Sequence, residues 1–295
     1  MSRVSEVRVD FLGTGTSAGI PCIGCDCATC RSTDPRDTRL RCGAAIRFVD
    51  PQGQPRTLLI DIPPDHRQQA LRHGLDRCDG ILVTHAHVDH IFGLDEVRRY
   101  NTLMKAPIGI HAEAEVLEAL HRIYPHIYAQ HRNVNPSYVA DLFDVVLTPG
   151  AAFVLHGLRI EPIRLLHGRL PILGFRVELA GEDGRPAPDQ PDPFPLAWCT
   201  DVSGIPPETW PALEGLSTLV LDLLRERAHP THLTVDEAVE QAGRIGADRT
   251  LFIHMSHELK HSELEKRLPA GMAPAWDGLI LGQEICPDPD ASVPE

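Results

Sequence analysis

The feature that most constrains this chain is Thr84-His85-Ala86-His87-Val88-Asp89-His90, which follows directly on the apolar run Ile81-Leu82-Val83. A short apolar run bounded by polar residues reads as a buried strand ending at Thr84. A strand that stops and at once presents three imidazoles and a carboxylate is equipped to hold metal rather than to pack. His85 and His87 stand at i and i+2 of an extended chain, so both rings can face one side. Asp89 and His90 come after the chain has begun to turn. Two ligand pairs aimed at two points suggest two metal ions. With 16 histidines in 295 residues, chance H-x-H pairs are common. The full H-x-H-x-D-H word after an apolar strand is much rarer.

The same design recurs along the chain. Strands are expected at Val7–Leu12, Ala44–Val49, Thr57–Asp61, Ile160–Leu166, Leu173–Leu179, Leu196–Thr200, Thr218–Leu221 and Thr250–Ile253, with a hairpin across Asp50–Gly53. Helices are expected over Gln68–Arg77 with Leu71 and Leu75 on one face, from Gly93 onward through Leu94, Val97, Asn101 and Met104, over Ala112–Ile123, and around Val235, Ala238, Val239 and Ala242. Five apolar strands end in a ligand type: His85, His167, Asp201, Asp222 and His254. Strands that pack side by side would bring those five to one edge of the sheets.

Two further stretches compete for function. Gly13-Thr14-Gly15-Thr16-Ser17-Ala18 matches a dinucleotide fingerprint on paper, but no helical period follows it, so a glycine turn that lets backbone approach the active site is the better reading. Cys25-Asp26-Cys27-Ala28-Thr29-Cys30 places three thiols where one tetrahedral zinc could take them, with Cys22 or a distant His as a fourth ligand. The loop carrying Tyr124, His126, Tyr128, His131 and Tyr138 reads equally as a substrate lid or as surface.

Length suits one domain, expected over 1–286, with the knuckle at 22–30 and a loose tail over 287–295. No apolar run approaches the ~20 residues of a membrane span, and residues 1–6 lack the apolar core of a signal peptide, so no membrane partner and a cytoplasmic location are expected. In that compartment, crowded cysteines indicate metal rather than disulfides. A net charge of −13 argues against a nucleic-acid partner.

H-x-H-x-D-H, then a lone His, a lone Asp and a late His, resembles the metallo-β-lactamase superfamily. The C-x-C-x-x-C knuckle, Cys199-Thr200-Asp201-Val202-Ser203-Gly204 and His254-Met255-Ser256-His257 narrow the resemblance to the phosphoribosyl cyclic phosphate phosphodiesterase branch. The resemblance implies an α/β (α+β) fold, an αββα sandwich of two mixed sheets with helices outside. It implies that His85, His87 and His167 hold one metal, that Asp89, His90 and His254 hold a second, and that Asp201 bridges them. It implies a structural zinc on Cys25, Cys27, Cys30 and His257, with Cys22 the alternative fourth ligand. The cofactors expected are thus two catalytic divalent ions, zinc or manganese, and one structural zinc. Hydrolysis of a small cyclic phosphodiester by a hydroxide shared between the metals is the implied activity, with Asp89 and His232 as catalytic residues. His232 would act as general acid, and Asp222 could orient it or a ligand. Alternatives within the superfamily are a tRNA 3′-processing-like nuclease and a cofactor-biosynthesis protein; a homodimer is common among similar proteins.

Overall fold

The computed structural model describes residues 4–134 and 138–282. The tail expected from 287 lies outside them.

Strands β1 (Ser5–Gly13), β2 (Gly43–Val49), β3 (Pro55–Ile60), β4 (Gly80–Leu82), β5 (Ile108–Ala112) and β6 (Leu142–Val146) belong to one sheet. Strands β7 (Phe153–Leu155), β8 (Leu158–His167), β9 (Leu170–Leu179), β10 (Leu196–Cys199), β11 (Thr218–Asp222), β12 (Arg249–Ile253) and β13 (Met272–Pro274) form the other. The last strand, β14 (Ile280–Gly282), returns to the first sheet, giving orders β14-β1-β2-β3-β4-β5-β6 and β13-β12-β11-β10-β9-β8-β7. Both sheets are mixed. Strands β3 to β6 are parallel, as are β10 to β13.

Period-2 alternation explains the layering. Ala44, Ile46 and Phe48 of β2, Leu58 and Ile60 of β3, Phe175 and Val177 of β9 and Trp198 of β10 meet in one core between the sheets. Their neighbours Ala45 and Leu59 face outward onto Leu94, Val97, Leu117 and Leu120. Ala197, Cys199, Leu219, Leu221 and Phe252 face outward onto Val235, Ala238 and Ala242. The result is the αββα sandwich, buried on both faces of each sheet. Each fully buried large side chain contributes roughly 1.5–3 kcal/mol.

Helix Val235–Ile245 follows its sequence signals closely: Thr234 and Glu237 form a capping box, and Gly246 closes the other end at φ 69°. Elsewhere the boundaries move. The helix expected over 68–77 runs from His66 to His73 and ends at left-handed Gly74. Its inward residues are His66 and Gln69, whereas Leu71 is 68% exposed and Leu75 is buried only beyond the helix. The inner face is polar because Gln69 Nε2 donates to the Arg41 carbonyl. The helix expected from Gly93 is split into short turns at Val88–Ile91 and Leu94–Val97 before Arg98–Met104.

The glycine turn after β1 packs between the 39–41 segment and the Met255 backbone that follows β12. A Cβ on Gly13 would lie 2.0 Å from the Arg41 carbonyl oxygen, and one on Gly15 would lie 2.9 Å from Arg39. The close approach is therefore to the 39–41 segment. Gly15 pairs there with Arg41 on one side and Met255 on the other. Among the described residues no helix is long and apolar enough to cross a membrane.

Candidate metal centres

The parallel strands deliver their carboxyl ends to one rim of the sandwich. Asp61 follows β3, Thr84 and His85 follow β4, Asp201 follows β10, Asp222 ends β11 and His254 follows β12. Asp61, Asp201 and His254 adopt positive φ, 58°, 56° and 60°. Such backbone is uncommon outside glycine. It turns each side chain sharply off its strand toward the rim.

Two ligand groups result. One is His85, His87 and His167; the other is Asp89, His90, Asp201 and His254; within each, the candidate ligand atoms lie within 4.8 Å of one another. Asp201 also forms such a group with His167 and His232, so it stands between the two sets. His90 Nε2 is 3.2 Å from Asp201 and 3.4 Å from Asp89, and His254 Nε2 is 3.3 Å from Asp201 and 3.7 Å from Asp89. Despite these short distances, Nε2 of His90 and of His254 has no hydrogen-bond partner, nor has the buried Nε2 of His85. The atoms point at shared points rather than at each other. Buried nitrogens left without partners cost free energy unless something else satisfies them, and a cation does.

The other ring nitrogens of His85, His90 and His167 are held. His90 Nδ1 donates to Asp61 at 2.7 Å, and His167 Nδ1 donates to the Thr231 carbonyl at 2.9 Å. His85 Nδ1 meets Thr84 Oγ1 at 3.0 Å, and that hydroxyl donates to Asp61 at 2.9 Å. His254 Nδ1 lies 3.4 Å from Asp222 without a hydrogen bond between them. Anchoring Nδ1–H fixes the tautomer in which Nε2 offers its lone pair inward. Burial pushes His85 well below the ordinary imidazole range, which keeps it a neutral ligand. Burial opposes charge on His90 and His254 too, yet Asp201 and its neighbouring carboxylates raise His90 well above that range and His254 to about 10. Asp201, for its part, stays well below the carboxylate range against burial, held there by His254 and His90. This surplus of fixed carboxylate is the charge a divalent ion would balance in place of those protons.

His232 is buried beside this group. Its Nδ1 donates to Asp222 at 3.2 Å, and its ring stacks on His254 at 4.7 Å and approaches His167 at 4.6 Å. Asp222 is fully buried and also accepts from the Leu233 backbone N–H at 3.1 Å, so it is no surface residue.

At the knuckle, Cys25, Cys27, Cys30 and His257 gather into a third group. His257 Nδ1 lies 3.2 Å from Cys25 Sγ and 3.4 Å from Cys27 Sγ. Cys22 stands outside: its thiol donates to the Gly19 carbonyl, and its backbone N–H donates to Cys30 Sγ at 3.3 Å. The Cys30 N–H and His257 bring Cys27 down to about 6, while burial raises Cys30 to about 12. Fully buried Arg39 donates to the carbonyls of Ser256 and Leu259, clamping the segment that carries both His254 and His257.

Sequence reasoning missed Asp61, which looks like any strand-end aspartate, and Thr231, which acts through its backbone. Of the loop read as lid or surface, Tyr124 packs behind the site. The buried Tyr124 hydroxyl donates to the Ile91 carbonyl at 3.0 Å, bracing the turn that bears Asp89 and His90.

Comparison with known proteins agrees with this architecture. The sequence profile of the β-lactamase superfamily domain matches residues 56–255. A crystal structure described as a new diphosphatase from the PhnP family is 35% identical, with a TM-score of 0.81 over 96% of this chain and 99% of that one. An octanoyltransferase of Porphyromonas gingivalis is 34% identical over 276 residues, 92% of this chain and 51% of that protein. The chain thus spans about half the length of that curated relative. Zinc-bound PqqB from Methylobacterium extorquens shares the fold at 19% identity, with a TM-score of 0.69 over 92% of this chain and 99% of that one.

Proposed function

The chain belongs to the metallo-β-lactamase superfamily of metal-dependent hydrolases, in its PhnP-like branch, and from that premise we propose that it is a two-metal phosphodiesterase acting on a small phosphodiester, with a cyclic phosphate on a sugar or nucleotide as the substrate class. The observation that carries the reading is His232, an imidazole beside both ligand groups and hydrogen-bonded from behind to the buried carboxylate of Asp222. His85, His87 and His167 would hold one ion and Asp89, His90 and His254 the other, with Asp201 shared. Zinc and manganese both suit imidazole and carboxylate donors; the thiolates of the knuckle suit zinc.

Bound there, two divalent ions would supply Lewis-acid charge for the phosphoryl oxygens and an acidified water as nucleophile. Asp89 and Asp201 are the only anionic members of the two groups, so they offset half of the four charges of such a pair and leave the rim attractive to phosphate despite the acidic surface. Asp222 fixes the His232 ring through Nδ1, leaving Nε2 to carry a proton to the departing alkoxide. The proposal includes no nucleic-acid partner, since a net charge of −13 disfavours backbone binding.

The test is turnover of bis(4-nitrophenyl) phosphate and of nucleoside 2′,3′-cyclic phosphates by zinc- and manganese-loaded protein. His232→Ala should lower kcat by about 10²–10⁴ with metal content unchanged. Full activity in that variant rejects the general-acid role, loss of metal would make His232 a ligand, and no turnover of any diester by the parent protein rejects the reading.

A further inference from the structure

The knuckle carries a fourth thiol that its candidate ligand group leaves out. Cys22 is half-buried, and Ile23 and Gly24 beside it form an exposed tip. Its carbonyl accepts from the Cys25 N–H at 3.1 Å, which folds Cys22–Cys25 into a tight turn. Its thiol donates to the Gly19 carbonyl at 3.1 Å. A serine hydroxyl makes such a bond more strongly than a thiol, so that contact does not itself call for sulfur. The Cys22 N–H donates to Cys30 Sγ at 3.3 Å. With an N–Cα bond of about 1.46 Å, the Cys22 Cα then lies within about 4.8 Å of the Cys30 sulfur. The two side chains already interact, so rotation of the Cys22 thiol off the Gly19 carbonyl brings the sulfurs together without moving a strand.

We infer that Cys22 is an oxidation site: hydrogen peroxide joins it to Cys30 in a disulfide and thereby empties the knuckle of zinc. Among the described residues the remaining thiols outside the ligand group, Cys42, Cys78 and Cys199, are buried, which leaves Cys22 as the accessible one. As a zinc ligand Cys30 is a thiolate, the form that attacks peroxides. Its sulfur takes one peroxide oxygen, the O–O bond breaks, hydroxide leaves, and a sulfenic acid results. The Cys22 sulfur then displaces that hydroxyl: the S–S bond forms, the S–O bond breaks, and the thiol proton departs with the hydroxyl as water. Both sulfurs are oxidised, and the peroxide is reduced to water and hydroxide. Cys25, Cys27 and His257 remain, one ligand short of a closed tetrahedral site, so the zinc is released. No rim residue takes part, so the inference stands or falls apart from the phosphodiesterase reading.

The test reads zinc and mass rather than turnover. Zinc-loaded full-length protein is treated with a small excess of hydrogen peroxide, freed zinc is followed with 4-(2-pyridylazo)resorcinol, and peptide mapping by mass spectrometry locates any disulfide. The parent should free about one zinc per chain, become about 2 Da lighter through loss of two hydrogens, and yield a Cys22–Cys30 cross-linked peptide. Dithiothreitol followed by zinc should reverse all three changes. Cys22→Ser should carry as much zinc as the parent before treatment and free it about ten times more slowly afterwards. A parent that frees no zinc, a Cys22→Ser protein that is already short of zinc or frees it at the parent's rate, or a map that joins Cys30 to another cysteine overturns the inference.

Discussion

The two candidate metal regions use the same element types in opposite ways. At the rim of the sandwich, ligands come from residues as distant as His85 and His254, delivered by strand ends of both sheets. Their rings are braced from behind by Asp61, Asp222 and the Thr231 carbonyl. At the knuckle, three of four candidate ligands fall within Cys25–Cys30, all four side chains are half-buried, and the sulfurs meet backbone N–H groups of Cys22 and Cys30 and the His257 ring. The rim is built by the fold, so its geometry survives without an ion. The knuckle has few contacts of its own to hold it, so an ion bound there would contribute to folding itself. His254 and His257 sit three residues apart on one clamped segment, which joins the two regimes.

That contrast can be broken in several ways. The largest effect is expected from Asp201→Ala, the residue shared by both rim groups: activity should fall about a thousandfold or more with little change in Tm, because no strand depends on it. Circular dichroism melts beside turnover would check this, and a large drop in Tm would contradict the claim that the rim is pre-built. Asp222→Asn comes next. It loosens both His232 and His254, so a loss toward the upper end of about 10–100-fold is expected, larger than for Asp61→Asn, which frees His90 and Thr84. Equal losses in the two variants would mean that His232 adds nothing. Cys27→Ser should reverse the pattern, lowering Tm by roughly 5–10 °C through loss of a few kcal/mol while turnover falls about tenfold or less. A Cys27→Ser protein that melts normally but is inactive would place the knuckle in catalysis. The smallest effect belongs to Cys22→Ala, whose thiol donates only to the Gly19 carbonyl; its zinc content and Tm should match the parent, and loss of zinc would restore Cys22 as the fourth ligand.

How much of this the sequence disclosed follows the same divide. Ligands at strand ends were legible because an apolar run that stops at His or Asp has few structural reasons to do so, and His85, His167, Asp201, Asp222 and His254 all meet at the rim. The outward and inward faces of the long strands were legible from alternation. Strands β5, β6, β7, β13 and β14 were not, because they are three to five residues long and β6 and β7 carry exposed apolar residues such as Phe143 and Val154. Asp61 escaped because its role depends on β3 lying next to β4, a long-range pairing that no local pattern encodes. The split of the helix after His90 escaped because Leu94, Val97 and Asn101 keep helical spacing through what is a chain of short turns.

The central claim is that strand ends far apart in sequence grip a pair of cations independently of the knuckle. Metal analysis by inductively coupled plasma mass spectrometry on the parent protein, Asp201→Ala and Cys27→Ser tests it most directly. The account predicts about three ions per chain in the parent, one in Asp201→Ala, retained as zinc, and two in Cys27→Ser. A parent protein that holds one ion, lost in Cys27→Ser and kept in Asp201→Ala, would contradict it.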